Sequence, residues 1–242
     1  MGTKTAYANN GLVAFRDLPK YPDRLVHVNA LFRHGTRSPG DKLLEMMEKL
    51  AETLKLRKEL SDFNFTFNCR GSGPMELLPA GVQELEKLGL RLRRRLPRDF
   101  RLPLNAKVYV SPTNRTKDSA KAFVSKFFQS PWSVSYEEDS DRLRFFDGCD
   151  RYAKTIRKNK KLLGEWSAFK EGPEMKKVLA DIVADNGLHD LNITLDDIEE
   201  LYTMATHEAS VMQADDAVSG WLKLFRPEHL YVLEYLHDLK VR

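Results

Sequence analysis

Nine residues, RLVHVNALF (Arg24–Phe32), run directly into RHGTRSPGD, and few folds accommodate that junction. The run is apolar and rich in branched side chains. Pro22 and Asp23 bound it upstream, which is the pattern of a buried strand. Beyond the junction, DKLLEMMEKLAETLKLRKEL (residues 41–60) places Leu44, Met47, Leu50 and Leu54 at helical spacing, with Asp41 as the expected cap. Strand, glycine-bearing loop, helix is how an α/β layer begins.

The same rhythm continues. SDFNFTFNCRGSG (residues 61–73) reads as a loop or hairpin. PAGVQELEKLGLRLRRRLP follows as a helix with Val82, Leu85, Leu88 and Leu92 on one side. AKVYVS (residues 106–111) reads as a short strand. It passes through PTNRTKD into a helix, SAKAFVSKFF, and WSVSYEE reads as a further strand. This alternation predicts an α/β fold with a mostly parallel sheet and flanking helices. From residue 151 the character changes. EWSAFKEGPEMKKVLADIVADNG, TLDDIEELYTMATHEASVM and PEHLYVLEYLHDLK carry helical patterns with no strand between them, and Thr194 ahead of LDDIEE is a good N-cap. The expected organisation is the N-terminal part of an α/β core over residues 1–150 and a helical subdomain over residues 151–242.

At 242 residues the chain is long enough to bury a sizeable core. Its 39 basic and 35 acidic residues leave a net charge of +4, which suits an anionic ligand without demanding one. The basic runs at Arg91–Arg101 and Lys154–Lys161 read as solvated surfaces. They lack the interleaved aromatics of a nucleic-acid binder, so no nucleic-acid partner is expected. No apolar run has bilayer-spanning length, and MGTKTAYANN lacks the apolar core of a signal peptide, so neither is expected. The two cysteines, Cys69 and Cys149, have no CxxC or Cys/His spacing, which argues against zinc. Sequons stand at Asn64, Asn114 and Asn192 and lean weakly towards secretion.

The loop carries the chemistry. In open α/β sheets ligands bind at the carboxyl ends of strands, and a helix N-terminus next to the loop favours anions. Arg33 and Arg37 flank His34 and offer planar, charge-assisted donors matched to phosphate oxygens. His34, as neutral imidazole, can attack phosphorus. Gly35 lets the backbone turn, and Pro39 stiffens the exit. Arg115, after the second strand, is expected to reach the same level, so that three guanidiniums converge on one phosphate.

RHGTRSP matches the RHGxRxP signature of the histidine acid phosphatases. GTKTAY, RFFDGCDRY (Arg144–Tyr152), AFKEGPEM (Ala168–Met175) and VLEYLHDLK (Val232–Lys240) resemble the multiple inositol polyphosphate phosphatases, the animal phytase-like branch of that family. The resemblance implies a histidine-phosphatase-like sheet and a two-step phosphomonoester hydrolysis. His34 would be the nucleophile that becomes phosphohistidine, with Arg33, Arg37 and Arg115 holding the phosphoryl oxygens and no metal or cofactor. It implies inositol polyphosphates such as phytate, and 2,3-bisphosphoglycerate, as substrates. For a full-length member it implies the endoplasmic reticulum lumen or secretion.

The family also uses a later His-Ala-Glu motif, which these 242 residues do not contain. The expectation is therefore a truncated chain, lacking the C-terminal part of the core and of low activity. The cysteines would then be oxidisable, and two pairings stay open: Cys69 with Cys149, and Cys149 with a cysteine in the missing part. The alternative is a catalytically inactive fragment that binds phosphate or inositol phosphates. A mutase-like relative is disfavoured by the continuation to Pro39. His189-Asp190 and His237-Asp238 spell the broader superfamily's dipeptide and His207-Glu208 spells a near miss. Their contexts, a polar loop and helices, assign them surface or core roles.

Overall fold

The computed structural model describes residues 25–241 except 26, 64, 66, 72, 98–99, 101–105, 129–130, 132–133, 158–163 and 212–219. GTKTAY, the sequon residues Asn64 and Thr66, Arg98 and Arg101 of the first basic run, and Lys158–Lys161 of the second lie outside the described residues. In chain order the elements are α1 (Asp41–Lys55), α2 (Pro79–Arg95), β1 (Lys107–Val110), α3 (Asn114–Phe127), β2 (Ser135–Glu138) and α4 (Ser140–Leu143). They continue with α5 (Asp150–Tyr152), α6 (Gly164–Lys170), α7 (Pro173–Asp185), α8 (Leu195–Val211), α9 (Gly220–Lys223) and α10 (Pro227–Val241). The described residues form two compact units. One, the loop unit, contains residues up to Ser38 together with Gly71–Cys149; the other, the helical unit, contains Pro39–Arg70 and Asp150–Arg242.

In the loop unit, β1, α3 and β2 make one parallel β-α-β turn of chain, with Lys107 opposite Ser135 and Val110 opposite Glu138. Helix α2 opens on Pro79, whose fixed φ suits the first helical turn, and closes on Arg93, Arg94 and Arg95, which complement the negative end of the helix dipole. It packs against α3 at Gly89, where a Cβ would stand 2.6 Å from the Phe123 carbonyl oxygen. Leu85, Val110, Ala122, Val124, Phe127 and Val134 are buried here.

The expected mostly parallel sheet is represented, among the described residues, by this one two-stranded pair. Leu25 and residues 27–32, read from the sequence as a strand, carry no strand structure, and Leu31 is 86% exposed. Apolar composition does not hold a strand; a hydrogen-bonded ladder does, and the described residues provide this segment with none. The Phe32 ring lies 4.7 Å from that of Phe123. Helix α3 begins at Asn114, ahead of the expected SAKAFVSKFF, so Arg115 stands in a helical first turn rather than in a loop.

The helical unit is built on amphipathic patterning. Met47, Ala51 and Leu54 of α1 face α8, which buries Ile198, Leu201, Met204 and Ala205. Met175, Val178 and Ile182 of α7 and Leu233, Leu236 and Leu239 of α10 complete that core. Trp221 of α9 is fully buried, edge-on to Phe65 and Phe67 at 4.8 and 5.9 Å. Helix α8 has the expected cap: Asp197 N–H donates to Thr194 Oγ1 at 3.2 Å, and Thr194 N–H donates to Asp197 Oδ2 at 2.8 Å. At α1 the cap position falls to Gly40, and Asp41 stands in the first turn. No described helix is long and apolar enough to cross a membrane.

Candidate phosphate site

The loop Arg33–Ser38 lies against the segment leading into α2. Ser38 N–H donates to the Glu76 carbonyl at 2.8 Å, and Leu78 N–H donates to the Thr36 carbonyl at 3.0 Å. The fully buried Ser38 hydroxyl donates to the Gly73 carbonyl at 2.6 Å and accepts Glu76 N–H at 3.0 Å. Gly35 and Gly81 cross with no room for side chains: a Cβ on Gly35 would stand 2.4 Å from the Gly81 oxygen, and one on Gly81 would stand 2.2 Å from the Thr36 oxygen. Two further side chains hold the loop from behind. Gly35 N–H donates to Ser119 Oγ on α3 at 3.1 Å, and Thr36 N–H donates to Glu84 Oε2 on α2 at 2.8 Å.

On this support His34 is half-buried, with Nδ1 2.8 Å from the Gly35 carbonyl oxygen. A carbonyl only accepts, so Nδ1 carries the hydrogen, and in the neutral ring Nε2 holds the lone pair. Burial lowers the His34 pKa; the Gly35 bond opposes this, and the charges of Arg33, Arg37 and Arg115 add to the lowering. Arg37 donates from Nη1 to the Ser38 carbonyl at 2.8 Å. Its own pKa is lowered by burial first, then by the charges of Arg115 and Arg33. Arg115 Nε is buried without an acceptor among the described residues. The four residues singled out in the sequence therefore lie in one unit and feel one another's charge. Nothing in the sequence pattern marked Ser119 or Glu84. They reach the loop across 84 and 48 residues of chain, beyond what local periodicity reports.

The other histidine–acid pairs have local partners in the helical unit. His189 and Asp190 lie in a turn, where Asp190 meets Arg57 at 2.5 Å; that bond holds the Asp190 carboxyl below its usual pKa. His237 of α10 packs edge-on to Tyr202 at 5.0 Å and lies 3.9 Å from Glu199 Oε1. His207 and Glu208 are buried in α8, and Glu208 accepts Cys69 N–H at 2.9 Å. Burial, followed by the Glu208 charge and hydrogen bond, pushes the Cys69 thiol pKa up.

Comparison with known proteins agrees with the loop. The sequence matches the histidine phosphatase superfamily (branch 2) over residues 24–241. It is 28% identical to multiple inositol polyphosphate phosphatase 1 of Gallus gallus over 226 residues, covering 89% of this chain and 49% of that protein. It is 29% identical to multiple inositol polyphosphate phosphatase 1 of Homo sapiens over a 278-residue alignment, covering 99% of this chain and 56% of that protein. The chain thus spans about half the length of the curated relatives it matches. With the signature loop, its supporting contacts and a match across nearly the whole sequence, the chain belongs to branch 2 of the histidine phosphatase superfamily.

Proposed function

We propose that this chain carries the nucleophile and the phosphoryl-binding groups of a phosphomonoester hydrolase acting on inositol polyphosphates, phytate among them. The carrying observation is His34: its tautomer is set by the Gly35 carbonyl, and its pKa is lowered by burial and by the charges of Arg33, Arg37 and Arg115. In the first step the Nε2 lone pair attacks phosphorus. The N–P bond forms as the ester P–O bond breaks, and the departing oxygen takes a proton from water or a carboxylic acid. In the second step water attacks phosphohistidine, the N–P electrons return to Nε2, and inorganic phosphate leaves. Arg33, Arg37 and Arg115 stabilise the charge on the phosphoryl oxygens in both steps. A buried donor without an acceptor is costly, so turning Arg115 Nε–H towards a phosphoryl oxygen adds a driving force for binding.

The names of the relatives support inositol polyphosphates, and the same cationic cluster suits 2,3-bisphosphoglycerate. The cluster supplies no proton to the leaving oxygen, so slow turnover belongs to this reading. Capture of phosphate without turnover is its limiting form.

The test is phosphate release from phytate and from 2,3-bisphosphoglycerate, beside calorimetric titration with tungstate. His34→Ala should lower release by at least ~10³-fold while tungstate still binds through the arginines. Near-normal release by His34→Ala would overturn the assignment. Tungstate binding with no release by the unaltered chain would select capture alone.

A further inference from the structure

The peptide unit between Gly35 and Thr36 is used at both ends. Its carbonyl accepts the hydrogen of His34 Nδ1 at 2.8 Å, and its N–H donates to Glu84 Oε2 at 2.8 Å. The unit is trans and planar, so its two ends point in opposite directions and turn together. Whatever fixes the N–H therefore fixes the direction of the carbonyl that holds the imidazole. We infer that Glu84 is the positioning residue for His34, acting through this peptide plane. The inference rests on the reading of His34 as the nucleophile.

Three observations give Glu84 this role. First, its grip is more than one hydrogen bond, because the Thr36 hydroxyl lies 3.0 Å from both carboxylate oxygens while the amide takes Oε2. Bonds to an ionised acceptor are stronger and more directional than neutral ones. Second, the anchor point cannot slide, since the Gly35–Gly81 crossing seats the loop backbone on α2 one turn before Glu84. Third, the neighbouring amides are already engaged: Gly35 N–H goes to Ser119 Oγ at 3.1 Å and Ser38 N–H to the Glu76 carbonyl at 2.8 Å. The amides of Gly35, Thr36 and Ser38 are thus held from behind rather than offered to an anion. The ligand meets guanidiniums, and the backbone serves to aim the ring.

The role is the one a carboxylate plays behind a catalytic histidine, with one change. The carboxylate does not touch the imidazole; a peptide plane stands between them. Releasing the N–H would let the plane rotate, free the His34 Nδ1 hydrogen and allow the ring to exchange tautomers. The lone pair would then be shared between Nδ1 and Nε2.

The test uses Glu84→Met, which keeps length and helix propensity but offers no comparable acceptor, with Glu84→Gln and Glu84→Asp beside it. The first readout is the ¹⁵N signature of the His34 ring without ligand, assigned by its loss in His34→Gln. The unaltered chain should show the Nδ1–H tautomer. Glu84→Met should show a tautomer mixture with Thr36 amide exchange at least tenfold faster, Glu84→Gln should fall between, and Glu84→Asp should recover part of the signature. The second readout is phosphate release, where kcat should fall by about 10²-fold with KM nearly unchanged, because the arginines remain. A wild-type ring signature in both Glu84→Met and Glu84→Gln overturns the inference. A tautomer shift in a chain that releases no phosphate upholds the positioning and counts against the hydrolase reading. Should Glu84→Met fail to fold, Glu84→Gln alone decides, since a ring identical to wild type there also overturns it.

Discussion

Trp221 and Leu31 mark two ways in which this chain treats large apolar residues. Trp221, in the helical unit, has no exposed surface and meets two phenylalanine rings; Leu31, in the loop unit, is 86% exposed. One charged cluster in each unit makes a second contrast. In the helical unit Lys170 is buried between Asp196 and Glu199, with Nζ 2.9 Å from Glu199 Oε2. Burial lowers the Lys170 pKa, and the two acids more than offset it. In the loop unit Arg115 Nε is buried without an acceptor among the described residues, and His34 lies near the charges of Arg33, Arg37 and Arg115. Lys170 meets its countercharges within its own unit, whereas His34 and Arg37 lie among guanidiniums of like charge. Perturbed groups that the fold does not neutralise are where function concentrates.

The sharpest way to break this contrast is Trp221→Ala. Removing a fully buried indole should cost about 3–5 kcal/mol in the helical unit, read by denaturant unfolding. A loss under about 1 kcal/mol would show that its packing carries little.

Gly81→Ala comes next. The new methyl would stand 2.2 Å from the Thr36 oxygen, so the loop must move off α2. Overpacking of this kind costs about 1–3 kcal/mol, and tungstate binding should weaken with it. Unchanged stability and unchanged binding together would mean that the crossing is softer than described.

The pH dependence sharpens the contrast without altering the core. The folded His34 pKa lies below its ordinary value, burial being the main cause and the three arginines adding to it. Between that lowered midpoint and about 6.5, the unfolded chain binds a proton that the folded chain does not. The stability contribution of His34 is therefore constant above this window and falls as pH drops through it. An NMR titration of the ring should find its midpoint below about 6.5, and Arg115→Gln should move that midpoint up, though not fully back. A downward move would contradict the proximity of Arg115.

Leu31→Ser should do least, changing stability by no more than about 0.5 kcal/mol because the side chain is already in water.

Much of the helical unit was legible because burial writes a 3.6-residue period into sequence: Met47 and Leu54, Met175 and Ile182, Leu233 and Leu236 all keep it. The loop was legible for a different reason, since Arg33, His34, Gly35 and Arg37 are adjacent and their chemistry is local. What escaped was pairing across distance. Residues 25–32 have a strand's composition, but composition does not supply a ladder partner. The start of α3 was missed because Asn114–Asp118 carry no apolar residue to set a period. Glu84 reads as one more solvated acid on α2, and its bonds to Thr36 exist only once the two segments meet.

The two thiols also form a ready-made clock. Cys149 is exposed, whereas Cys69 is buried with its pKa pushed up, so little reactive thiolate forms there. A maleimide added to the native protein should label Cys149 at once and Cys69 only when the helical unit opens. The slow second addition, followed by mass spectrometry, times that opening without any engineered cysteine. It would report on the helical unit while ligands are being titrated into the loop unit.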